Sequence, residues 1–268
     1  MTDPARAGGG SDPAAAFFVP LGGGRFVATP HTRGPWDPAH QHAGPPAALL
    51  CRALERCDPR EGMLLARLTF EILRPVPVAE VAVSAYVVRP GRSVQLLEGE
   101  LSSEGERVMT VRAWRVKATD APDRRTDGAP PPRPSEAAAP PRGLRDFGYG
   151  DAVELRFAAG GWGVPGPATV WTRLRVAVVE DESPTGLQRV LAVADSGNGV
   201  SAVLSWDDWL FINPELTVHV LREPLGEWIC LDAETTIASG GAGLASSVLS
   251  DDEGVVARGG QSLLVLAR

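Results

Sequence analysis

The chain has 268 residues, of which 44% are hydrophobic and 22% are charged, a composition typical of a globular protein with one large domain or two ordinary ones. The formal net charge is −7, and the sequence contains no long basic run. Nucleic-acid binding is therefore not expected, because it needs clustered Lys and Arg side chains to neutralise phosphates.

The N-terminal segment Met1–Ala16 is rich in Gly, Ala and Asp, and we predict that it is disordered. It lacks the apolar core of a signal peptide, and no stretch of the chain approaches the ~18 apolar residues of a membrane span. The three cysteines, Cys51, Cys57 and Cys230, form no metal-binding or redox spacing, which is typical of reduced thiols. We therefore predict a cytoplasmic protein with no membrane span.

The first predicted helix starts at a pair of prolines. Pro45 and Pro46 suit the first turn of a helix, where a missing N–H costs little. The apolar residues that follow recur at the spacing of one helical face: Ala47, Leu50, Cys51 and Leu54.

An internal repeat follows this helix. The segment Leu68–Val76 (LTFEILRPV) recurs 148 positions later as Leu216–Pro224 (LTVHVLREP). After each copy come a second strand pattern, a Glu-Gly turn and a final alternating apolar strand. These pairs are Glu80–Val88 and Glu227–Ile237, Glu104–Gly105 and Glu253–Gly254, and Arg107–Val116 and Val256–Leu266. The shared order indicates a duplicated unit.

A Pro- and Ala-rich segment separates the two copies, most clearly in Gly128–Arg142. We predict an N-terminal domain at 17–116, a linker at 117–146 and a C-terminal domain at 147–268. The second domain has its own predicted helix, with Ser183 as the cap and Pro184 in the first position. Leu187, Val190, Leu191 and Ala194 form its apolar face, and Gly197 and Gly199 are expected to end it.

Each half thus consists of an N-terminal strand, one apolar helix and a meander of long antiparallel strands. This order predicts an α+β fold, a tandem (double) hotdog in which each curved sheet wraps around one central helix. We expect the two sheets to pair edge to edge, as in a hotdog dimer.

The chain also resembles a known family, the thioesterase-like superfamily related to the bacterial type II acyl-CoA thioesterases. The resemblance covers about Phe17–Leu266. Its matching segments are Gly34–Asp37, His42–Pro46, Leu73–Pro77, Arg89–Arg92, Ala194–Gly199, Ile212–Thr217 and Gly226–Trp228. It implies hydrolysis of an acyl thioester, with a coenzyme A ester as the small-molecule partner. It also implies a bacterial origin and a role in fatty acid metabolism.

The same resemblance implies which residues act. Type II thioesterases hold the attacking water with an Asp, a Thr or Ser, and a Gln, and these positions fall on Asp195, Asn213 and Gln261. The chain departs from the pattern at Asn213, which has no hydroxyl group but can donate and accept hydrogen bonds. It departs again at Ala43, where the family has a Gly. We expect Asp195 to act as general base, and Asn213 and Gln261 to orient the water.

Substrate contacts are expected from three further residues. The start of a hotdog helix can stabilise an oxyanion with free backbone N–H groups, which points to Gly44 and its neighbours. His42 is a candidate ligand contact. Arg92, together with Arg89 or Arg189, is a candidate contact for the coenzyme A arm. No cofactor and no metal are expected, and the histidines form no HExxH pattern. A serine hydrolase mechanism is not expected either, because no GxSxG elbow is present.

Two alternatives stay open at this point. The chain could be a non-catalytic hotdog module that binds an acyl or aromatic ligand, or a hotdog hydratase. The hydratase is ranked low because no His lies beside Asp195 in the sequence. The repeat matches Arg112 to Gln261, so only the second half has the full set of candidate catalytic residues. Packing anchors are predicted at five tryptophans: Trp36, Trp114, Trp206, Trp209 and Trp228. The exposed sheet of a double hotdog is compatible with a homo-oligomer.

Overall fold

The structure is a computed structural model that describes residues 16–122 and 147–268. Ala16, predicted to be disordered, is the first residue of a strand. The rest of the predicted disordered N-terminus and most of the predicted linker lie outside the described residues.

The two halves contain corresponding elements. The first half has β1 (Ala16–Gly22), β2 (Arg25–Ala28), a 3-10 turn (Pro30–Thr32), α1 (Gly44–Arg56), β3 (Met63–Ile72), β4 (Glu80–Arg89), β5 (Val94–Ser103) and β6 (Glu106–Lys117). The second has α2 (Gly148–Ala152), β7 (Val153–Ala159), β8 (Ala168–Leu174), β9 (Ala177–Val179), α3 (Gly186–Ala194), α4 (Gly197–Val200), β10 (Trp209–Ile212), β11 (Glu215–Val220), β12 (Trp228–Ile237), β13 (Ala242–Asp251) and β14 (Gly254–Ala267).

Within the described residues, the strands form one 14-stranded sheet in the order β7-β8-β12-β13-β14-β11-β3-β6-β5-β4-β2-β1-β9, with β10 beside β14. The order on one side of the β11–β3 junction mirrors the order on the other side. β9 is an addition, since it belongs to the second half of the chain but pairs in parallel with β1. The predicted tandem hotdog, with two sheets joined edge to edge, is confirmed.

The junction between the halves is made by the repeated segments themselves. Thr69 lies opposite Thr217 in the antiparallel pair, and the two residues are 148 positions apart. Their hydroxyl groups are 3.3 Å apart. Phe70 lies opposite Leu216, and Leu68 lies opposite Val218, so the pairing is symmetric about the two threonines. The duplicated segments therefore form an interface of the kind that joins two identical subunits.

Two apolar helices fill the concave side of the sheet and pack against each other. α1 begins at Gly44, with the two prolines in its first turn as predicted, and its predicted apolar face is buried. α3 is also apolar and buried, but its start was predicted wrongly. Thr185 caps it by accepting the backbone N–H of Gln188 at 3.1 Å, so the helix begins after Ser183 and Pro184. Gly197 and Gly199 belong to the separate short helix α4.

One strand is interrupted where the functional site lies. β3 is continuous through Leu65, with a bulge between Leu65 and Arg67. Its counterpart, 148 positions later, is split into β10 and β11, and Asn213 and Pro214 lie between them. Pro214 has no N–H to give to a neighbouring strand, which favours a break at this point. No helix in the part of the chain that the structure describes is long and apolar enough to cross a membrane.

Candidate active site

A cavity of about 460 Å³ lies between the two halves of the molecule. Its lining comes from the loop before α1, from the segment after β3, from α2 and β7, from the α3–α4 junction, and from the break between β10 and β11. Most of these residues are apolar. The polar exceptions include His42, Asp195, Ser196 and Asn213, which belong to both halves.

Asp195 follows the last residue of α3 and is 5% exposed. Its Oδ1 accepts hydrogen bonds from Nδ2 of Asn213 at 2.8 Å and from Nε2 of Gln261 at 3.1 Å. The backbone N–H of Ala43 also donates to this carboxylate. The structure therefore brings together the Asp, Asn and Gln that were expected to form one site, and adds a donor from the first half.

His42 lies on the other side of the Asp195 carboxylate. Its Nδ1 is 3.3 Å from Oδ2 of Asp195 and accepts the backbone N–H of Gly44 at 3.1 Å. The ring stacks on Tyr149, with 3.9 Å between centroids and 3° between planes. Because Gly44 donates to Nδ1, the neutral ring carries its proton on Nε2. Nε2 has no hydrogen-bond partner among residues 16–122 and 147–268.

Burial controls the protonation of this pair. The pKa of Asp195 is raised by burial of the carboxylate, although His42, Asn213, Ala43 and Gln261 act to lower it. The pKa of His42 is lowered by burial, against the attraction of the Asp195 charge. Both shifts act against charge on the two groups, and the N–H groups of Asn213, Gln261 and Ala43 favour the ionised carboxylate of Asp195.

Gln261, on β14, holds Asp195 in place through hydrogen bonds. Nε2 of Gln261 donates to both the side chain and the backbone carbonyl of Asp195, and its Oε1 accepts the backbone N–H of Asn198 at 3.1 Å. A Cβ at Gly197 would lie 2.8 Å from this Oε1, so a side chain there would displace the amide of Gln261 from its place beside Asp195. Gln261 is buried and does not line the cavity. Its amide is already used in positioning Asp195.

The repeat assigned the wrong counterpart to Gln261. Thr69 lies opposite Arg112, and Thr217 lies opposite Gly260, so Arg112 corresponds to Gly260. The counterpart of Gln261 is the buried Ala113. Neighbouring residues of a strand face opposite sides, and Arg112 accordingly forms an ion pair with Glu98 on the exposed face. A shift of one residue explains the error.

The helix start at Gly44 does not supply free N–H groups to the cavity. The N–H of Gly44 is donated to His42, that of Ala43 is donated to Asp195, and Pro45 and Pro46 have none. A side chain at Gly44 would lie 2.2 Å from the backbone oxygen of Ala192. Gly44 is thus required by the close packing of α1 against α3, and an oxyanion donor must be sought elsewhere.

Arg92 lies outside the cavity lining. It is exposed, in the turn between β4 and β5. The arginine on the cavity is Arg74, whose side chain is 63% exposed and makes an ion pair with Glu106 at 3.3 Å.

The profile of the acyl-CoA thioesterase N-terminal domain matches residues 32–116, and that of the acyl-CoA thioesterase C-terminal domain matches residues 121–265. The chain belongs to the acyl-CoA thioesterase family. No curated protein matches it.

Solved structures of the same architecture match over nearly the full chain. The acyl-CoA thioesterase II TesB2 from Mycobacterium marinum is 16% identical with a TM-score of 0.68, covering 94% of this chain and 96% of that one. A conserved protein of unknown function with a hot dog fold, from Alicyclobacillus acidocaldarius, is 19% identical with a TM-score of 0.74, covering 96% and 97%. At such low identity, the likeness establishes the fold.

Several aromatic residues of the cavity were missed from the sequence. Phe147, Tyr149 and Trp162 line it and were not singled out. Trp36 and Trp206 pack against the apolar cluster around Phe211, as predicted, but they also line the cavity. A signal was present for Trp162, which stands in the Gly-rich run Gly160–Pro167 (GGWGVPGP). A large aromatic residue in a glycine-rich loop has little to pack against locally, and such loops often carry binding residues.

Proposed function

We propose that the chain hydrolyses the thioester of an acyl-CoA, or of a related pantetheine carrier, to a free acid and a thiol. The observation that carries the proposal is the buried carboxylate of Asp195, which faces the cavity while N–H groups of Asn213, Gln261 and Ala43 hold it. A carboxylate in this setting can accept a proton from a water molecule in the cavity. Membership of the acyl-CoA thioesterase family supports the same activity.

Asp195 acts in its ionised form. It takes a proton from water while the water oxygen forms a bond to the acyl carbon. The carbon–sulfur bond then breaks, and the proton passes from Asp195 to the sulfur of the departing thiolate. Burial raises the pKa of Asp195, which makes it a stronger base than an exposed aspartate.

Asn213 takes the place of the missing hydroxyl residue. Its Nδ2 is committed to Asp195 and to the backbone oxygen of Glu215, at 2.8 and 3.2 Å. Its Oδ1 accepts no hydrogen bond from the described residues and can accept one from the second O–H of the attacking water. Gln261 is a positioning residue in this scheme, because both of its contacts with Asp195 orient the carboxylate.

His42 is the candidate donor to the developing oxyanion. The hydrogen bond from Gly44 to Nδ1 leaves the proton on Nε2, and the lowered pKa keeps the ring neutral at neutral pH. A neutral imidazole N–H can stabilise a developing negative charge. This role replaces the free N–H groups that were expected at the start of α1.

Arg74 is the candidate contact for the phosphate groups of the carrier. It replaces Arg92 in that role because it lines the cavity. Within residues 16–122 and 147–268, its side chain pairs only with the exposed Glu106, a weak ion pair that an incoming phosphate can displace.

The test is release of free thiol from a panel of acyl-CoAs by the wild type, Asp195→Ala and Gln261→Ala. We expect turnover by the wild type and a loss of about 10²-fold or more in Asp195→Ala. Asp232→Ala is the matched control, because Asp232 is exposed on β12 and does not line the cavity. No turnover of any thioester, with ligand still bound, would leave a hotdog binding module.

A hydratase is the second candidate. Its low rank rested on the absence of a His beside Asp195 in the sequence, and that argument fails because His42 is 3.3 Å from Asp195 in space. A His and an Asp that share one water can add it across a carbon–carbon double bond. An assay of enoyl-CoA hydration, monitored by the loss of ultraviolet absorbance of the enoyl-CoA, decides between the two reactions.

The cytoplasmic location, the bacterial origin, the role in fatty acid metabolism and the homo-oligomer stay predictions. Light scattering of the purified protein tests the oligomer.

A further inference from the structure

Three loops each place one tryptophan on the same wall of the cavity. Trp36 comes from the loop before α1, Trp162 from the β7–β8 connection, and Trp206 from the loop between α4 and β10. Trp36 and Trp206 stack at 4.6 Å between centroids, and Trp206 and Trp162 at 6.0 Å. Phe147 extends the row beyond Trp162, at 5.9 Å. The wall is therefore a continuous row of four aromatic rings.

The loop that carries Trp162 has no equivalent in the first half. There, β1 and β2 are joined by a tight turn at residues 23–24, whereas β7 and β8 are joined by residues 160–167. Gly160 and Gly163 adopt positive φ angles of 69° and 73°, which let the chain turn on both sides of the indole. The loop is fixed by a hydrogen bond from Gly166 N–H to the backbone oxygen of Ala202 at 3.0 Å.

The aromatic wall adjoins the catalytic cluster on two sides. Tyr149 stacks on His42, and it lies two positions after Phe147 in the chain. On the other side, Trp206 lies against Gly199 of α4, where an added side chain would meet the indole at 3.7 Å. Gly199 is one short helical turn from Asp195. A group attached to a carbonyl carbon at Asp195 and His42 can therefore reach these rings within the same cavity.

Flat, rigid rings recognise a planar partner better than a flexible chain. Aromatic pairs gain about 0.5–1.5 kcal/mol beyond the burial of their area. A linear acyl chain of equal carbon number buries similar apolar area, but it loses rotational freedom at several bonds when it binds. Tryptophan side chains have only two rotatable bonds and lose little freedom themselves.

We propose that this site selects thioesters whose acyl group carries an aromatic ring next to the carbonyl region, in preference to linear acyl groups of the same carbon number. The proposal rests on the thioesterase activity proposed above, and it names the substrate class of that site. Trp162 is its main specificity-determining residue, because its loop serves no strand pairing and belongs to one half alone.

The test compares phenylacetyl-CoA with octanoyl-CoA, whose acyl groups have the same number of carbon atoms. We expect the wild type to favour phenylacetyl-CoA by about 10-fold in kcat/KM, and Trp162→Leu to reduce that ratio to about 1. Trp209→Leu is the control, because Trp209 on β10 does not line the cavity and should keep the wild-type ratio.

Two results would overturn the proposal. One is a wild-type ratio at or below about 1; the other is a Trp162→Leu variant that loses activity equally on both substrates, which indicates a structural role. If neither thioester is hydrolysed, the proposed thioesterase activity is refuted, and the preference for an aromatic acyl group is then tested by binding. Thioether analogues of the two esters, titrated by tryptophan fluorescence, should still bind with the same preference, and equal affinities would refute it.

Discussion

In the second half of the sheet, Gln261 reaches from β14 to Asp195, whereas the corresponding position in the first half is Ala113. Asn213 reaches the same carboxylate from a break in its strand, and the corresponding residue of the first half, Leu65, is part of the continuous strand β3. The strands match at a constant shift of 148 positions, which also joins Thr69 to Thr217. Both halves therefore share the same backbone arrangement, whereas the side chains that hold Asp195, those of Asn213 and Gln261, belong to the second half.

The arginines of the repeated segment show the reverse arrangement. Arg222, in the second half, binds the buried carboxylate of Asp251 with both terminal nitrogens, and Asp251 also accepts the backbone N–H of Leu225 and Glu253. In the first half, the positions of Arg222 and Asp251 are taken by Arg74 and Ser103. Without a buried acidic partner, Arg74 extends to the cavity and to exposed Glu106. The arginine of the repeated segment therefore has a different role in each half. Arg222 stabilises the second half by pairing with a buried carboxylate, whereas Arg74 of the first half lies on the cavity.

The largest expected effect is on stability at Asp251. Asp251→Asn leaves the partly buried Arg222 without its charge partner and should lower the free energy of unfolding by about 3–5 kcal/mol in urea denaturation. Arg74→Gln, at the position equivalent to Arg222, should cost less than about 1 kcal/mol because its ion pair is exposed. Equal costs for the two variants would contradict the contrast between the halves.

The pH dependence of this effect has a definite sign. Burial acts to raise the pKa of Asp251, but the hydrogen bonds from Arg222, Leu225 and Glu253 outweigh it and hold the pKa below its usual value. A lowered pKa in the folded state contributes stability that is present at neutral pH and is lost as the pH falls through the folded pKa. The difference between wild type and Asp251→Asn should therefore shrink in acid.

The next effect concerns the acid limb of activity. Asn213→Leu introduces the residue of the first half and removes a hydrogen bond that favours ionised Asp195. The pKa of Asp195 then rises further, so the acid limb of the kcat/KM profile should move to higher pH, with about a 10-fold loss at neutral pH. Asn213→Thr, which restores the hydroxyl found in type II thioesterases, should retain activity. An unchanged acid limb in Asn213→Leu would assign that limb to another group.

The smallest expected effect is on substrate affinity. Arg74→Gln should raise KM for an acyl-CoA about 3-fold at low salt, with kcat unchanged, and the difference should fade as salt screens the charge. Arg92→Gln is the matched control, since Arg92 is exposed and does not line the cavity. A larger rise in KM for Arg92→Gln than for Arg74→Gln would support the coenzyme A contact at Arg92 that was first expected from the sequence.

The sequence by itself determined the duplication and much of the fold. The repeated segments around Thr69 and Thr217 predicted two equivalent units. The strands and the buried faces of α1 and α3 followed from the spacing of apolar residues, because that spacing decides which face of a helix or strand is buried. The resemblance to a family supplied Asp195 and Gln261 as candidates. The helix start at Thr185 was missed because two neighbouring positions can both cap, and only the packed chain selects one.

Only the tertiary structure decided which residues meet. His42 and Asp195 are far apart in the sequence, so their contact at 3.3 Å could not be predicted from the residues that flank either of them. The same holds for the tryptophans: Trp36 of the first half stacks on Trp206 of the second, and Trp162 meets Trp206 from a separate loop of the second half. The N–H groups of Ala43 and Gly44, expected to face a ligand, are satisfied by Asp195 and His42. Periodicity fixes which face of an element is buried, but a site between two halves depends on long-range packing.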